Sequence, residues 1–184
     1  MYKGNNPSAL RSRKEIVRCF LEELKDTDLE ALSIKQIMDA TDLSRQTFYQ
    51  IFDSKDEIIE YCLDTLFSDF ISHTKEKTIE NLCDAARLFF NFFDIHRDTL
   101  ALFIKNRKSC VVQRKCREYL RDSRYIHYEL HGVHSEQDKE YATTFVVSGM
   151  VAMLEQWIKE TPEPTLNAQE LAQLVCRITG VNEF

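Results

Sequence analysis

Between Pro7 and Gly132 the chain contains neither glycine nor proline. Only four glycines and three prolines occur in all 184 residues. A fold of short strands needs turn residues roughly every 8–12 positions, and that punctuation is absent here. The chain therefore reads as all-α. Helical periodicity places inward faces on several segments. Residues 12–25 turn Ile16, Val17, Phe20, Leu21 and Leu24 inward, and residues 55–74 turn Ile59, Cys62, Leu63, Leu66, Phe67 and Phe70 inward. Residues 79–94 are apolar nearly all round after the first turn, which marks a buried helix or one that lines a cavity. Asp98 is placed to cap a short helix through Ile104, and further helices are expected over 110–131, 137–160 and 167–179.

The stretch 33–55, SIKQIMDATDLSRQTFYQIFDSK, carries the functional signal. Ser33 with Gln36, and Ser54 with Glu57, fit the capping box in which side chain and backbone at a helix start satisfy each other. Ser44 supplies the same kind of oxygen before Arg45. Two short helices and a tight turn follow, with Ile34, Ile37, Met38, Leu43, Phe48 and Phe52 facing inward. The second helix then presents Arg45, Gln46, Thr47, Tyr49 and Gln50 outward. A solvated face usually carries Glu and Lys, whereas these amides, hydroxyls and one guanidinium can donate to base edges and phosphates. Arg45 and Gln46, with Gln50, are the candidates for base edges. Thr47, Tyr49 and Lys55 are the candidates for phosphate, and Ser44 for a cap that also reaches phosphate.

On Ile34, Ile37, Leu43, Ser44, Thr47, Phe48, Tyr49, Phe52 and Lys55, at this spacing, the chain resembles the TetR family of transcriptional regulators. The resemblance covers roughly the first third of the chain. Beyond it, only length, helical character and Trp157 near the end of the penultimate helix agree. It implies a three-helix helix-turn-helix DNA-binding domain over residues 1–54 and a larger helical effector-binding and dimerisation domain over 55–184. It also implies a double-stranded DNA operator, a small-molecule effector, and a homodimer formed through the last two long helices. There Ser148, Gly149 and Ala152 would let a second backbone approach. The helix starting at Lys55 would link operator and effector. Thr41-Asp42 stands where the family often has Ala-Gly in the turn, and Asp tolerates the left-handed conformation better than most residues. Met38 stands where a small residue is common, which would widen the helix crossing.

Net charge is −6, so DNA contact must be local rather than over the whole surface. Lys3, Arg11, Arg13, Lys14 and Arg18 read as a basic N-terminal arm, while Lys35, Arg45 and Lys55 are offset by Asp39, Asp42 and Asp53. The six cysteines, at 19, 62, 83, 110, 116 and 176, show no C-x-x-C and no framework spacing. They read as free thiols buried as small hydrophobes in a reducing cytoplasm, with no signal peptide. No apolar run approaches the ~20 residues that span a bilayer.

Effector candidates come from an aromatic set in which Phe89, Phe93, Phe103, Tyr128, Phe145 and Trp157 would line an apolar cavity. The competing reading is core packing. His127, His131 and His134 form H-x3-H-x2-H at a helix end, compatible with a metal or with cationic histidines beside terminal carbonyls. No cofactor is expected. An enzyme has little support, since G-x-G-x-x-G, a phosphate loop, G-x-S-x-G and kinase signatures are all missing. The leading expectation is an effector-controlled, sequence-specific regulator, most simply a repressor. The alternatives are a regulator-like adaptor or co-activator working through protein partners, and a metal-responsive sensor built on the three histidines.

Overall fold

Capping decides where the helices begin. The computed structural model describes residues 6–75, 77–121, 135–160 and 164–180, without the side chains of 120 and 121. Helix α1 (Pro7–Asp26) starts with Pro7 in its first turn and the Asn6 side chain accepting from the Ser8 N–H at 3.0 Å. Then come α2 (Ile34–Asp39), α3 (Arg45–Ile51), α4 (Lys55–Thr74), α5 (Leu82–Ile95), α6 (Arg97–Lys105), α7 (Ser109–Arg121), α8 (Glu136–Lys159) and α9 (Ala168–Ile178). The described residues contain no strand. Asp98 lies inside the first turn of α6 rather than at its cap. The cap position is His96, which makes no side-chain capping bond.

One continuous apolar core runs from Ile16 and Phe20 in α1 to Leu171 and Val175 in α9. The first three helices enclose Phe20, Leu24, Leu32, Ile37, Phe48 and Phe52, all fully buried. In the larger part, α9 packs along α5 and α7 along α8. Phe67, Phe70, Phe89 and Phe93 stack between α4 and α5, with Phe89 and Phe93 centroids 4.7 Å apart. Trp157 is locked by three contacts from two residues, Arg97 and Leu166. Its ring lies 4.4 Å beneath the Arg97 guanidinium, its carbonyl accepts from Arg97 at 2.5 Å, and its indole N–H donates to the Leu166 carbonyl at 2.6 Å.

Phe89, Phe93, Phe103 and Trp157 are all buried in the core, with Phe89 packed against Phe93 and Trp157 against Phe90. Phe145 points the other way and is exposed. The sequence pattern could not separate these outcomes, because a core stripe and a cavity wall have the same period. Tyr128, His127, His131 and His134 lie outside the described residues. Among the described residues no group of three metal-ligating side chains comes together, and no helix is long and apolar enough to cross a membrane.

Two cysteines depart from the free-thiol reading. Cys83, in the first turn of α5, and Cys176, near the end of α9, form a disulfide with Cα atoms 5.0 Å apart. Cys19, Cys62, Cys110 and Cys116 are free. Burial pushes the Cys62 thiol up to about 12 and the Cys116 thiol higher still, so neither is a nucleophile at neutral pH.

Candidate nucleic-acid interface

A seven-residue helix cannot hold itself together in water. Helix α3 is fixed from both sides instead. At its start Ser44 Oγ accepts from the Thr47 N–H at 3.2 Å and shares a hydrogen bond with Thr47 Oγ1 at 2.9 Å. Along its inner face Phe48 and Ile51 are buried, and Phe52 follows at the C-cap. The Phe48 and Phe52 centroids lie 6.1 Å apart, and Phe52 meets Tyr61 of α4 edge-on at 5.9 Å. This anchorage leaves Arg45, Gln46, Tyr49 and Gln50 on the open side of α3, with Thr47 half-buried beside them. Tyr49 is 58% exposed although its ring edge touches Phe48 at 5.4 Å, so its hydroxyl faces solvent from a rigid base. All of the outward α3 candidates thus share one surface.

Helix α2 is held by the expected capping box, in which Gln36 N–H donates to Ser33 Oγ at 3.2 Å and Ser33 N–H to Gln36 Oε1 at 2.9 Å. At α4, Ser54 accepts from the Glu57 N–H at 3.2 Å, while the Glu57 carboxylate reaches back to the Asp53 N–H at 2.7 Å. The turn between α2 and α3 needs no left-handed residue. Arg107 has the sole positive φ among the described non-glycine residues. The Thr41 hydroxyl organises the turn in place of a glycine, donating to the Met38 carbonyl at 2.8 Å and accepting from the Leu43 N–H at 3.1 Å. Met38 is accommodated in the core.

Lys55 differs from its expected role. Its ammonium donates to the Leu29 carbonyl at 2.5 Å and to the Leu32 carbonyl. These are the free carbonyls of the turn between α1 and α2, and an ammonium satisfies both. Lys55 is thus a clamp between that turn and the start of α4, and a direct phosphate contact is not the arrangement the structure holds. The basic arm is also thinner than the sequence suggests. Arg13 is 8% exposed and lies 5.1 Å from the Tyr61 ring centroid. Arg18 pairs with Glu15 at 2.6 Å and Lys35 with Asp39 at 2.5 Å. Arg11 and Lys14 remain exposed on α1.

Behind the interface, the C-terminal part grips the same turn. Asn106 accepts from the Leu29 N–H at 2.7 Å and donates to Leu102 O at 2.8 Å. Arg107, with φ of 59°, ends α6 so that the Lys108 N–H reaches back to the Phe103 carbonyl at 2.9 Å. Lys108 pairs with Asp56 of α4 at 2.6 Å. Further along, Arg114 pairs with Glu60, and Lys115 with Asp64 at 2.6 Å and Glu60 at 3.3 Å. Asp56, Glu60 and Asp64 recur every fourth residue of α4, so a line of ion pairs fastens α4 to the α6–α7 segment. Sequence reading missed Asn106, Lys108 and Lys115, whose partners are remote in the chain.

Residues 21–62, which span the end of α1, α2, α3 and the start of α4, match the family described as bacterial regulatory proteins, tetR family. Among solved structures the chain resembles the dihydroxyacetone kinase operon activator DhaS, with a TM-score of 0.61 at 15% identity over 92% of each chain. Comparison with curated proteins finds no match. The capped, core-anchored helix-turn-helix thus lies on the very residues that match the family of bacterial regulatory proteins, tetR family.

Proposed function

We propose that this DNA-binding transcriptional regulator is a homodimeric, effector-controlled repressor of the cytoplasm, without enzymatic activity of its own. The observation that carries the reading is the α3 surface, where Arg45, Gln46, Tyr49 and Gln50 stand exposed over a fully buried Phe48 and Phe52. Arg45 and Gln46, with Gln50, read base edges in the major groove, and Ser44, Thr47 and Tyr49 fix the register on phosphates. Lys55 acts behind them as a positioning residue. Repression is the simpler mode, because occupying a promoter needs no contact beyond the two recognition helices.

Support for the dimer comes from α8. Its open side carries Tyr141 and Phe145, 70% and 77% exposed, followed by exposed Ser148, Gly149 and Ala152. A Cβ built on Gly149 meets nothing within 4 Å in the monomer. Large aromatics in line with small residues form a face that a second helix covers closely, and α9 adds Ile178, 67% exposed. Two-fold symmetry then sets two α3 helices against the halves of a palindromic site.

The effector entry we favour is the apolar seam between α6, α7 and α8, closed in this structure and lined by Leu100, Ile104, Val112, Val151, Leu154 and Glu155. An effector that opens it shifts α6 and α7, and through Asn106 and Lys108 the DNA-binding part, by its difference in affinity for the two states.

The thin set of uncommitted cations favours one second reading, an adaptor that acts through a protein partner. Arg45→Ala separates the two. On DNA retained from a random pool, losing one bidentate base contact costs about 1–3 kcal/mol and relaxes the preference at one position. Unchanged affinity and selectivity would refute the assignment of Arg45.

A further inference from the structure

The disulfide between Cys83 and Cys176 sits in a chain whose regulatory reading places it in a reducing compartment. There, disulfides that form are typically transient and sensing rather than structural. Three observations set this pair apart from the other cysteines. First, it fastens α9 to α5, helices separated by 93 residues of sequence, and its Cα spacing of 5.0 Å falls in the range a disulfide spans without moving backbone. Second, Cys83 lies in the first turn of α5, where the unpaired N–H groups of a helix start favour a thiolate. Third, Cys176 lies in the last turn of α9, an eleven-residue helix whose C-cap is Thr179. Both sulfur-bearing residues are 2% exposed, so the last turn of α9, which also carries the buried Val175, must open to uncover the pair. The remaining buried thiols have other settings. Cys19 donates to the Ala40 carbonyl at 3.1 Å, and Cys62 and Cys116 are held protonated by burial.

We propose that Cys83 and Cys176 form a reversible redox site that exchanges with a low-molecular-weight disulfide of the glutathione class, and that closing it tightens the dimer. The Cys83 thiolate attacks one sulfur of the oxidised glutathione. A mixed disulfide forms, and one glutathione leaves as its thiolate and takes up a proton. The Cys176 thiol, losing its proton, then attacks Sγ of Cys83, forming the intramolecular bond and releasing the second glutathione. Two electrons pass from the protein thiols to the small disulfide, and an excess of reduced glutathione reverses both steps. On the inner side of α9, Leu171, Ala172, Val175 and Cys176 pack against the core, while Ile178 is open to solvent. Fixing α9 to α5 holds that open residue in place before the partner arrives, and preorganisation of this kind raises affinity. The regulatory half of this inference rests on the dimer reading given above.

The test uses the full-length protein equilibrated across ratios of reduced to oxidised glutathione, then acid-quenched, alkylated and mapped by mass spectrometry. The dimer dissociation constant is measured on the same samples by sedimentation equilibrium. The expected result is a peptide crosslink between Cys83 and Cys176 that appears and disappears with the ratio. The oxidised dimer should be about tenfold tighter, as in a typical coupling between sites. Cys176→Ala should remove the redox dependence, and Cys83→Ala should do the same should the first variant fold poorly. Absence of the crosslink at every ratio overturns the redox site. A crosslink with an unchanged dissociation constant overturns the switch. A protein that crosslinks yet stays monomeric throughout supports the thiol chemistry and refutes the dimer reading.

Discussion

Ser44 performs two tasks on one oxygen, and two substitutions separate them. Its Oγ accepts from the Thr47 N–H at 3.2 Å and bonds the Thr47 hydroxyl at 2.9 Å. Ser44→Ala removes the side-chain acceptor of the Thr47 N–H and leaves that group its 3.0 Å bond to the Ser44 carbonyl. Loss of such a cap costs about 1 kcal/mol, within a range of roughly 0.5–2. The site is exposed, so water recovers part of the loss, and the lower half of that range applies here. Because α3 is only seven residues long and held by Phe48 and Ile51, the deficit should fall on this helix first. Chemical denaturation should show a small drop in midpoint with an unchanged slope, and hydrogen exchange should show faster amides in α3 with little change in α4. Ser44→Asp keeps a capping oxygen and adds a charge that the helix start favours. Stability should therefore match or exceed the native protein. If the α3 start faces phosphate, the same carboxylate should weaken DNA binding by about tenfold or more, since like charges juxtaposed across an interface cost several kcal/mol. A stable Ser44→Asp protein with native DNA affinity would refute the placement of this helix start at the backbone. An Ser44→Ala protein with unaltered α3 exchange would refute the capping account.

Lys55→Met should leave the Leu29 and Leu32 carbonyls without their shared donor. Unfolding free energy should fall by roughly 1–3 kcal/mol in a denaturation curve. Phe145→Asp should leave monomer stability within about 0.5 kcal/mol, because the side chain is exposed, while sedimentation shows loss of the dimer. Glu155→Gln should act through pH. The Lys159 ammonium, with help from the Ser109 hydroxyl, holds the Glu155 carboxylate below its ordinary 4.5. Its contribution is therefore present above 4.5 and is lost as pH falls through the lower folded value. The variant should be less stable than the native protein at neutral pH and converge with it in acid, as followed by urea titrations across that window. Arg107→Gly relieves a side chain held at φ of 59°, and should raise the thermal midpoint by an amount equal to about 0.5–1 kcal/mol.

Local chemistry was legible in the sequence, and long-range pairing was not. Ser33, Ser44 and Ser54 announce helix starts because a cap is satisfied within three residues, and each does so in the structure. The outward face of α3 was equally legible, since Phe48 and Phe52 fix which side is inward. Side chains whose partners are remote in sequence were not. Lys55 reads as a free cation at a helix start until the turn carrying Leu29 and Leu32 folds over it. Arg13 reads as part of a basic arm until Tyr61 of α4 comes beneath it. Cys83 and Cys176 carry no spacing signal, because α5 and α9 meet only in the folded chain. The Thr41-Asp42 turn was misread for a local reason. The positional analogy suggested a left-handed residue, whereas the Thr41 hydroxyl closes the turn with its own hydrogen bonds.

The central claim is that two α3 helices read the halves of one DNA site. Selection of bound fragments from a random duplex pool by the purified full-length protein, at low and at physiological salt, tests it most directly. The account predicts an inverted repeat whose half-sites lie about one helical turn apart, retained at the higher salt. With few uncommitted cations facing the duplex, the salt dependence should be shallow for each monomer. Recovery of unrelated sequences that are lost at the higher salt would contradict it, leaving the helix-turn-helix as a scaffold for a protein partner.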